Sequence, residues 1–293
     1  MPSTLINPYS GPRGVWARGN LHCHTREYSG CASVPLMQIV RRYREGGADF
    51  LAVTDHDHVT DLAGVGQLFP DMVFLQGFEY SSRENVLFIG QNVPPLHKLP
   101  LPQAFAEADG LLTVICHPRP SLDADYWTVP MILELSPEPL GMEVYNGHYN
   151  HHSPVWGRTN PLYTDMWDEL LTLGRRPWGF ANDDFHDPRD FGRAFNVALV
   201  ERLDAACILS ALKAGRFYAT TGLMLEEVSE HGGVVSVRLA SEARGRFVGP
   251  GGRILTEGTG VEFSCRHRGE AYLRFEAEGA SGRIFLQPFF AGP

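Results

Sequence analysis

From about residue 15 to Gly222, short apolar runs alternate with stretches of helical periodicity, the pattern of a parallel sheet or barrel whose strands are joined by helices. The runs at 15–22, 50–54, 72–78, 86–89, 111–116, 141–144, 178–181 and 196–200 read as strands. Helices are predicted over 35–45, 101–108, 164–173 and 204–214. The first opens on Pro35, suited to the first helical position, and stops at Gly46-Gly47, while the last is ended by Gly215. After Gly222 the texture changes. Segments 234–239, 260–265, 271–277 and 283–289 alternate apolar and polar residues between Gly-rich turns, without a helical period. Residues 1–222 therefore read as one α/β unit, and residues 223–293 as a small antiparallel β-module packed against it across a short junction.

The polar residues that break the pattern fall at strand ends. His22-Cys23-His24, Thr54-Asp55-His56-Asp57, Gly77-Phe78-Glu79, Cys116-His117-Pro118 and Asp183-Asp184-Phe185-His186 each close an apolar run, where βα barrels assemble active sites. Alternate strand residues share a face, so His22 and His24 can hold one ion together. The same spacing favours Asp184 over Asp183 as the partner of His186. Imidazoles mixed with carboxylates suit a hydrolytic Zn, Mn or Fe centre better than an all-oxygen Ca or Mg site. Such an ion lowers the pKa of its water from about 16 toward about 7, which makes hydrolysis the expected reaction. Asp55 and Asp57 flank His56 and are expected to make orienting or structural hydrogen bonds rather than to bind the ion. His186 is the candidate general acid, with His148 and His58 as alternatives. Arg119 and Arg26 stand where a guanidinium could grip a substrate phosphate or carboxylate. The polar stretch 146–152 reads as a loop from which His148 is kept as a substrate contact, and Glu143 divides evenly between lining the site and a structural salt bridge. His97, His231 and His267 are expected at the surface.

Taken in order, these segments resemble the polymerase-and-histidinol-phosphatase (PHP) superfamily of metal-dependent phosphoesterases over about residues 15–222. The stretch 19–25, the long gap to Asp184 and His186, the passage 215–222 and the terminal β-segment look most like its CehA/McbA-type branch. The resemblance implies a distorted seven-stranded (β/α) barrel with up to three divalent ions at its C-terminal mouth. By position His22, His24, Glu79 and Asp184 match the ligands of a first ion, His56 and His186 those of a second, and Glu79 with His117 those of a third. Two departures bear on occupancy. Tyr28-Ser29-Gly30 stands where Ser-Asp-Gly is common in the family, and Glu84-Asn85-Val86 where a His often follows the bridging Glu. Each removes a ligand, so of one to three ions fewer than three should be tightly held, unless Glu27, His58 or His148 substitutes. The implied activity is phosphoester hydrolysis on a small phosphorylated molecule such as a nucleotide. Carbamate, ester or amide hydrolysis on the same centre is the runner-up, and a non-catalytic ligand-binding scaffold is the third reading.

Composition narrows the partners. The 293 residues are 43% apolar, enough for a large core, and the formal charge of −9 argues against an extended nucleic-acid or anionic-membrane surface. An anionic small-molecule substrate would have to be captured locally. The N-terminus lacks a basic stretch followed by an apolar one, and no run approaches about 18 apolar residues, so a cytoplasmic protein is expected. Five cysteines without Cys-x-x-Cys spacing are expected as reduced thiols.

Overall fold

The computed structural model describes residues 5–11, 14–82, 84–122, 126–150 and 158–292. After a short strand β1 (Leu5–Ile6), the chain lays down β2 (Val15–Asn20), β3 (Phe50–Val53), β4 (Val73–Tyr80), β5 (Val86–Gly90), β6 (Leu112–Ile115), β7 (Gly141–Asn146), β8 (Trp178–Asn182), β9 (Phe195–Val200) and β10 (Phe217–Thr220). Helices α1 (Leu36–Glu45), α2 (Ala63–Leu68), α3 (Leu101–Ala106), α4 (Val129–Leu133), α5 (Thr164–Thr172) and α6 (Ala205–Lys213) lie between them. Strands β2, β3 and β4 pair in parallel, as do β6, β7 and β8. Strand β5 is antiparallel to both β4 and β6, so the two trios point the same way. All six therefore deliver their C-terminal ends to one rim of the sheet. The four helices expected from the sequence are present, with ends shifted by at most two residues. Pro35 precedes α1 in extended conformation (φ −68, ψ 149) rather than opening its first turn. Helices α2 and α4 are too short to show a period in sequence. No helix among the described residues is long and apolar enough to cross a membrane.

The sheet departs from a uniform strand–helix alternation. Strands β4 and β5 form a hairpin with no helix between them, and β9 runs antiparallel to β2 and β10. Nor does a backbone ladder link β8 to β9 among the described residues. The outward peptide groups of β8 are met by side-chain amides instead. Gly179 N–H donates to Gln287 Oε1 (2.8 Å) and Gln287 Nε2 donates back to Gly179 O (2.7 Å). Two residues on, Ala181 N–H donates to Asn196 Oδ1 (3.1 Å) and Asn196 Nδ2 to Ala181 O (2.9 Å). Each primary amide presents an acceptor and a donor side by side, so it reproduces the pairing a neighbouring strand would offer.

Beyond Gly222 come β11 (Leu225–His231), β12 (Val234–Gly249), β13 (Arg253–Arg266), β14 (Tyr272–Gly279), β15 (Gly282–Leu286) and β16 (Phe289–Ala291). The short strands expected at 234–239 and 260–265 are parts of one long hairpin, β12 against β13. Strand β15 pairs antiparallel with β10, so hydrogen bonds continue from the first part of the chain into the last. The buried Arg274 adds a second tie. Its Nε and Nη2 reach the two carboxylate oxygens of Asp168 on α5 (2.7 and 2.6 Å), and Nη1 reaches Glu276 (2.5 Å).

Gln287→Leu keeps the side-chain bulk but orphans the buried N–H and C=O of Gly179. An unmade buried hydrogen bond costs about 1–3 kcal/mol, so a loss of roughly 2–4 kcal/mol in urea unfolding is expected. A change under about 0.5 kcal/mol would show that the β8 edge does not depend on this amide.

Candidate metal centre

The rim where the parallel strands end is cross-stitched before any side chain is considered. Cys23 and Phe185 form a parallel bridge, with His24 N–H donating to Phe185 O (3.0 Å) and Phe185 N–H to His22 O (3.3 Å). His56 and Glu79 form a second bridge. These contacts register the ends of β2, β3, β4 and β8 on one another and bring His22, His24, His56, Glu79, His117, Asp184 and His186 together. His22 Nε2 lies 3.2 Å from Glu79 Oε1 and 3.2 Å from Asp184 Oδ1. His24 Nε2 is also 3.2 Å from Asp184 Oδ1, and His117 Nε2 is 3.1 Å from Glu79 Oε1. His56 Nδ1 sits 2.8 Å from Glu79 Oε2. The ring of His24 lies between those of His56 and His186, with centroids 4.3 and 4.4 Å away. Two of the residues concerned, His117 (φ 23) and Asp184 (φ 51), hold left-handed backbone conformations, a cost that the surrounding contacts must over-determine.

A buried frame holds these groups in place. Glu143, fully buried, accepts from His22 Nδ1 (2.9 Å), Asn182 Nδ2 (2.9 Å), the His117 N–H (2.7 Å) and Asn146 Nδ2 (2.8 Å). Its role is thus to orient His22 and His117 from behind, leaving His22 Nε2 facing the cluster. Asp55 performs the same service for the 22–29 loop. It accepts from the Thr25 N–H (2.6 Å) and from the hydroxyls of Ser29 (2.7 Å) and Thr60 (2.7 Å). Ser29 also accepts from the His56 N–H (3.1 Å), so it braces the loop behind His56. Asp183 turns away from the centre toward the Tyr43 hydroxyl (2.7 Å) and the Gly192 and Ala194 N–H groups (2.8 Å each), and burial raises its pKa to about 7.

The donor set fits a divalent cation. His22 Nε2 and His117 Nδ1 are buried without a hydrogen-bond partner among the described residues, and ligand-capable atoms of His22, His24 and Asp184 lie within 4.8 Å of one another. Convergence of basic atoms without hydrogen-bond geometry is what an ion would resolve. Protonation takes its place electrostatically. Burial opposes charge on Glu79 and Asp184, yet the neighbouring imidazoles, His22 foremost, hold both well below the usual carboxylate range. Burial likewise opposes protonation of His22, but Asp184, Glu79 and Glu143 raise its pKa well above the ordinary value. Against the same penalty, contacts to Cys31 and Glu79 raise His56 to about 10, and Asp184 with Cys31 raises His186 to about 9. Burial, aided by His186, depresses His24 to about 3.

A cleft of about 640 Å³ opens above the centre, lined in part by Ser81, Asn85, Tyr126, Tyr149, His148 and Cys31. His148 lines it, with Nδ1 3.2 Å from Asp190, a buried carboxylate that the sequence did not single out. The two arginines do not. Arg119 pairs with Asp165 at the start of α5 (2.6 Å), and neither it nor the exposed Arg26 lines the cleft. Of the suggested replacement ligands, His148 falls in a ligand-capable group with His186 and Asp190, whereas Glu27 and His58 are engaged elsewhere. Glu27 accepts from the Leu36 N–H at the start of α1 (3.1 Å), and His58 stacks on Tyr28 (3.8 Å between centroids). His267, expected at the surface, is buried, with Nε2 2.7 Å from Glu270 O. Sequence reasoning also passed over Cys31, since five scattered cysteines carry no spacing signal. His151 and His152 lie outside the described residues.

No family model matches the chain, and no curated protein matches it. Among solved structures, it is similar to a two-domain protein from Bacteroides vulgatus containing a predicted PHP-like metal-dependent phosphoesterase, with 19% identity, a TM-score of 0.55, and 96% of this chain and 98% of that one covered. An amidohydrolase from Chromobacterium violaceum with bound sulfate and no metal matches at 14% identity and TM-score 0.40, covering 58% of this chain and 88% of its own. A lesion-specific endonuclease from Pyrococcus furiosus matches at 16% identity and TM-score 0.43, covering 68% of this chain and 56% of its own. The first of these likenesses extends over both parts of the chain, and it describes a shared fold: a mixed α/β sheet carrying a C-terminal antiparallel region.

Proposed function

We propose that the chain is a metal-dependent hydrolase of PHP type, acting on a small phosphorylated molecule. The observation that carries this reading is the buried set of imidazoles and carboxylates at the floor of a cleft of small-molecule size, with His22 Nε2 left without a hydrogen-bond partner among the described residues. His22, His24, Glu79 and Asp184 would hold a first ion, His56 with His186 a second, and Glu79 with His117 a third. A divalent ion bound there would supply hydroxide at neutral pH and polarise a substrate oxygen. The chain's own residues do the rest. Glu143 fixes the tautomer of His22, and the Asp55–Ser29 pair fixes the loop behind His56. His148, oriented by Asp190, stands at the rim where it can give a proton to a leaving oxygen. Burial lowers its proton affinity, but Asp190 and Asp184 more than offset this, so the ring carries its proton at higher pH than a free imidazole.

A second reading, hydrolysis of a carbamate, ester or amide, has its own support. The described residues lining the cleft include no lysine or arginine, so side-chain cations do not select for a phosphate there. A screen of phosphomonoesters, nucleotides and carbamate esters on metal-loaded protein separates the two readings. Turnover of the carbamates alone would overturn the phosphoester reading, and turnover of nothing would favour a binding scaffold.

Three outcomes are expected. His22→Ala should lose its first ion and at least about 100-fold in kcat/KM, while Glu143→Gln, which leaves the ligands and weakens their support, should lose about 10–100-fold in metal affinity. Full metal content in both variants would remove the assignment of this centre. Arg119→Met should change kcat/KM by no more than about threefold on any substrate, because an exposed pair with Asp165 is worth under about 1 kcal/mol. A larger loss confined to anionic substrates would place Arg119 in the site after all.

The third outcome concerns pH. Imidazoles raised to about 10 and about 9, at His56 and His186, bind protons at pH 7 that an incoming ion must displace. Metal binding at pH 7 should therefore release protons to buffer, and affinity should climb as pH rises toward these values. Calorimetry in buffers of different ionisation enthalpy measures this. Binding without proton release would show that the cluster is already neutral.

A further inference from the structure

Resting on the metal-centre reading, we infer that His148, His186 and Asp190 form a separate cation site on the wall of the cleft, whose occupation excludes the second ion and removes the proton donor. Ligand-capable atoms of these three residues lie within 4.8 Å of one another, and the rings of His148 and His186 stand 4.6 Å apart between centroids. Asp190 is fully buried beside them. Its Oδ2 accepts from the His186 and Asp187 N–H groups (2.9 and 3.1 Å) and lies 3.2 Å from His148 Nδ1. Its Oδ1 is equally buried and has no hydrogen-bond partner among the described residues. A carboxylate oxygen shut away from water without a donor is costly, and a cation held by that oxygen removes the cost.

His186 belongs to two such groups, since it also falls with His24 and His56. Its Nδ1 is 2.8 Å from Asp184 O, a carbonyl oxygen that can only accept, so Nδ1 carries the hydrogen and Nε2 holds the one lone pair the ring can offer. A lone pair binds one ion. The second ion at His56 and an ion at His148 and Asp190 therefore compete for the same nitrogen. Two imidazoles and a carboxylate suit zinc or another first-row divalent cation, and the wall set includes the carboxylate that the pair of His56 and His186 lacks. Coordination needs the neutral imidazole, so an ion on the wall displaces to buffer the proton that His148 would give to a leaving oxygen. Excess cation should then stop the reaction that the floor ions support.

The test is anomalous diffraction at the zinc edge from crystals of the full-length protein, with hydrolysis of a nucleoside monophosphate followed over the same range of zinc. At low zinc the peaks should lie at the floor of the cleft. In large excess a peak should appear within bonding distance of His148, His186 and Asp190 while the peak at His56 fades, and kcat should fall by about 100-fold or more, the share of a general acid. His148→Gln should lose the wall peak, keep the peak at His56 in excess zinc, and show the low kcat from the start with no further fall. No wall peak in excess zinc, a wall peak that survives His148→Gln, or full occupancy at the wall and at His56 together would overturn the inference while leaving the metal centre standing. A wall peak with undiminished turnover would overturn the loss of the proton donor. A floor empty at every zinc concentration would overturn the metal-centre reading as well.

Discussion

One buried carboxylate organises the rim of this sheet. Glu143 is removed from water on β7, where an unpaired charge would be costly, and its position is tolerable because both oxygens are saturated by donors from four places in the chain. Those donors are the loop after β2, the turn after β6, the end of β7 and the end of β8. One donor, Asn182, extends the network outward. Its Oδ1 accepts from the Leu21 N–H and from Asn196, the same residue that satisfies Ala181 at the open edge of β8. The seam of the sheet and the support of the candidate ligands are therefore one hydrogen-bonded system. Disturbance of either is felt by the other, since a partly satisfied buried network is worse than none.

The last part of the chain joins this system. Gln287 covers the remaining outward peptide of β8, and Arg274 clamps α5 through Asp168. The C-terminal strands thus complete an edge that the rest of the chain leaves open. An uncovered parallel edge would expose unpaired N–H and C=O groups, and pairing it with amides solves that without another strand.

At the centre itself, electrostatics and function pull together. Two carboxylates and several imidazoles packed out of water share protons, which places Glu79 and Asp184 in the charged form and holds protons on His22, His56 and His186. Such a cluster is an expensive way to stabilise a fold and an inexpensive way to prepare a cation site, because the charge an ion must meet is already in position. The cleft above it presents tyrosines, an asparagine and a histidine rather than arginines. Substrate charge would therefore be met at the floor of the cleft.

What the sequence determined by itself was local and periodic. Apolar runs and helix stops placed most of the elements, and polar residues at the ends of those runs named His22, His24, His56, Glu79, His117, Asp184 and His186, which the structure brings together. That works because strand alternation and strand direction are short-range properties that constrain which side chains can share a rim. What only the tertiary structure decided depends on contacts between residues far apart. Glu143 became the frame of the site because of what β2, β6 and β8 place around it. Arg119 is turned to Asp165 on α5 and does not line the cleft. The pairing of β8 with side-chain amides, and the placement of Cys31 in the same cleft as His56 and His186, carry no periodicity at all. A single side chain reaching across a fold leaves no pattern in the sequence, since its partner is chosen by three-dimensional proximity rather than by spacing.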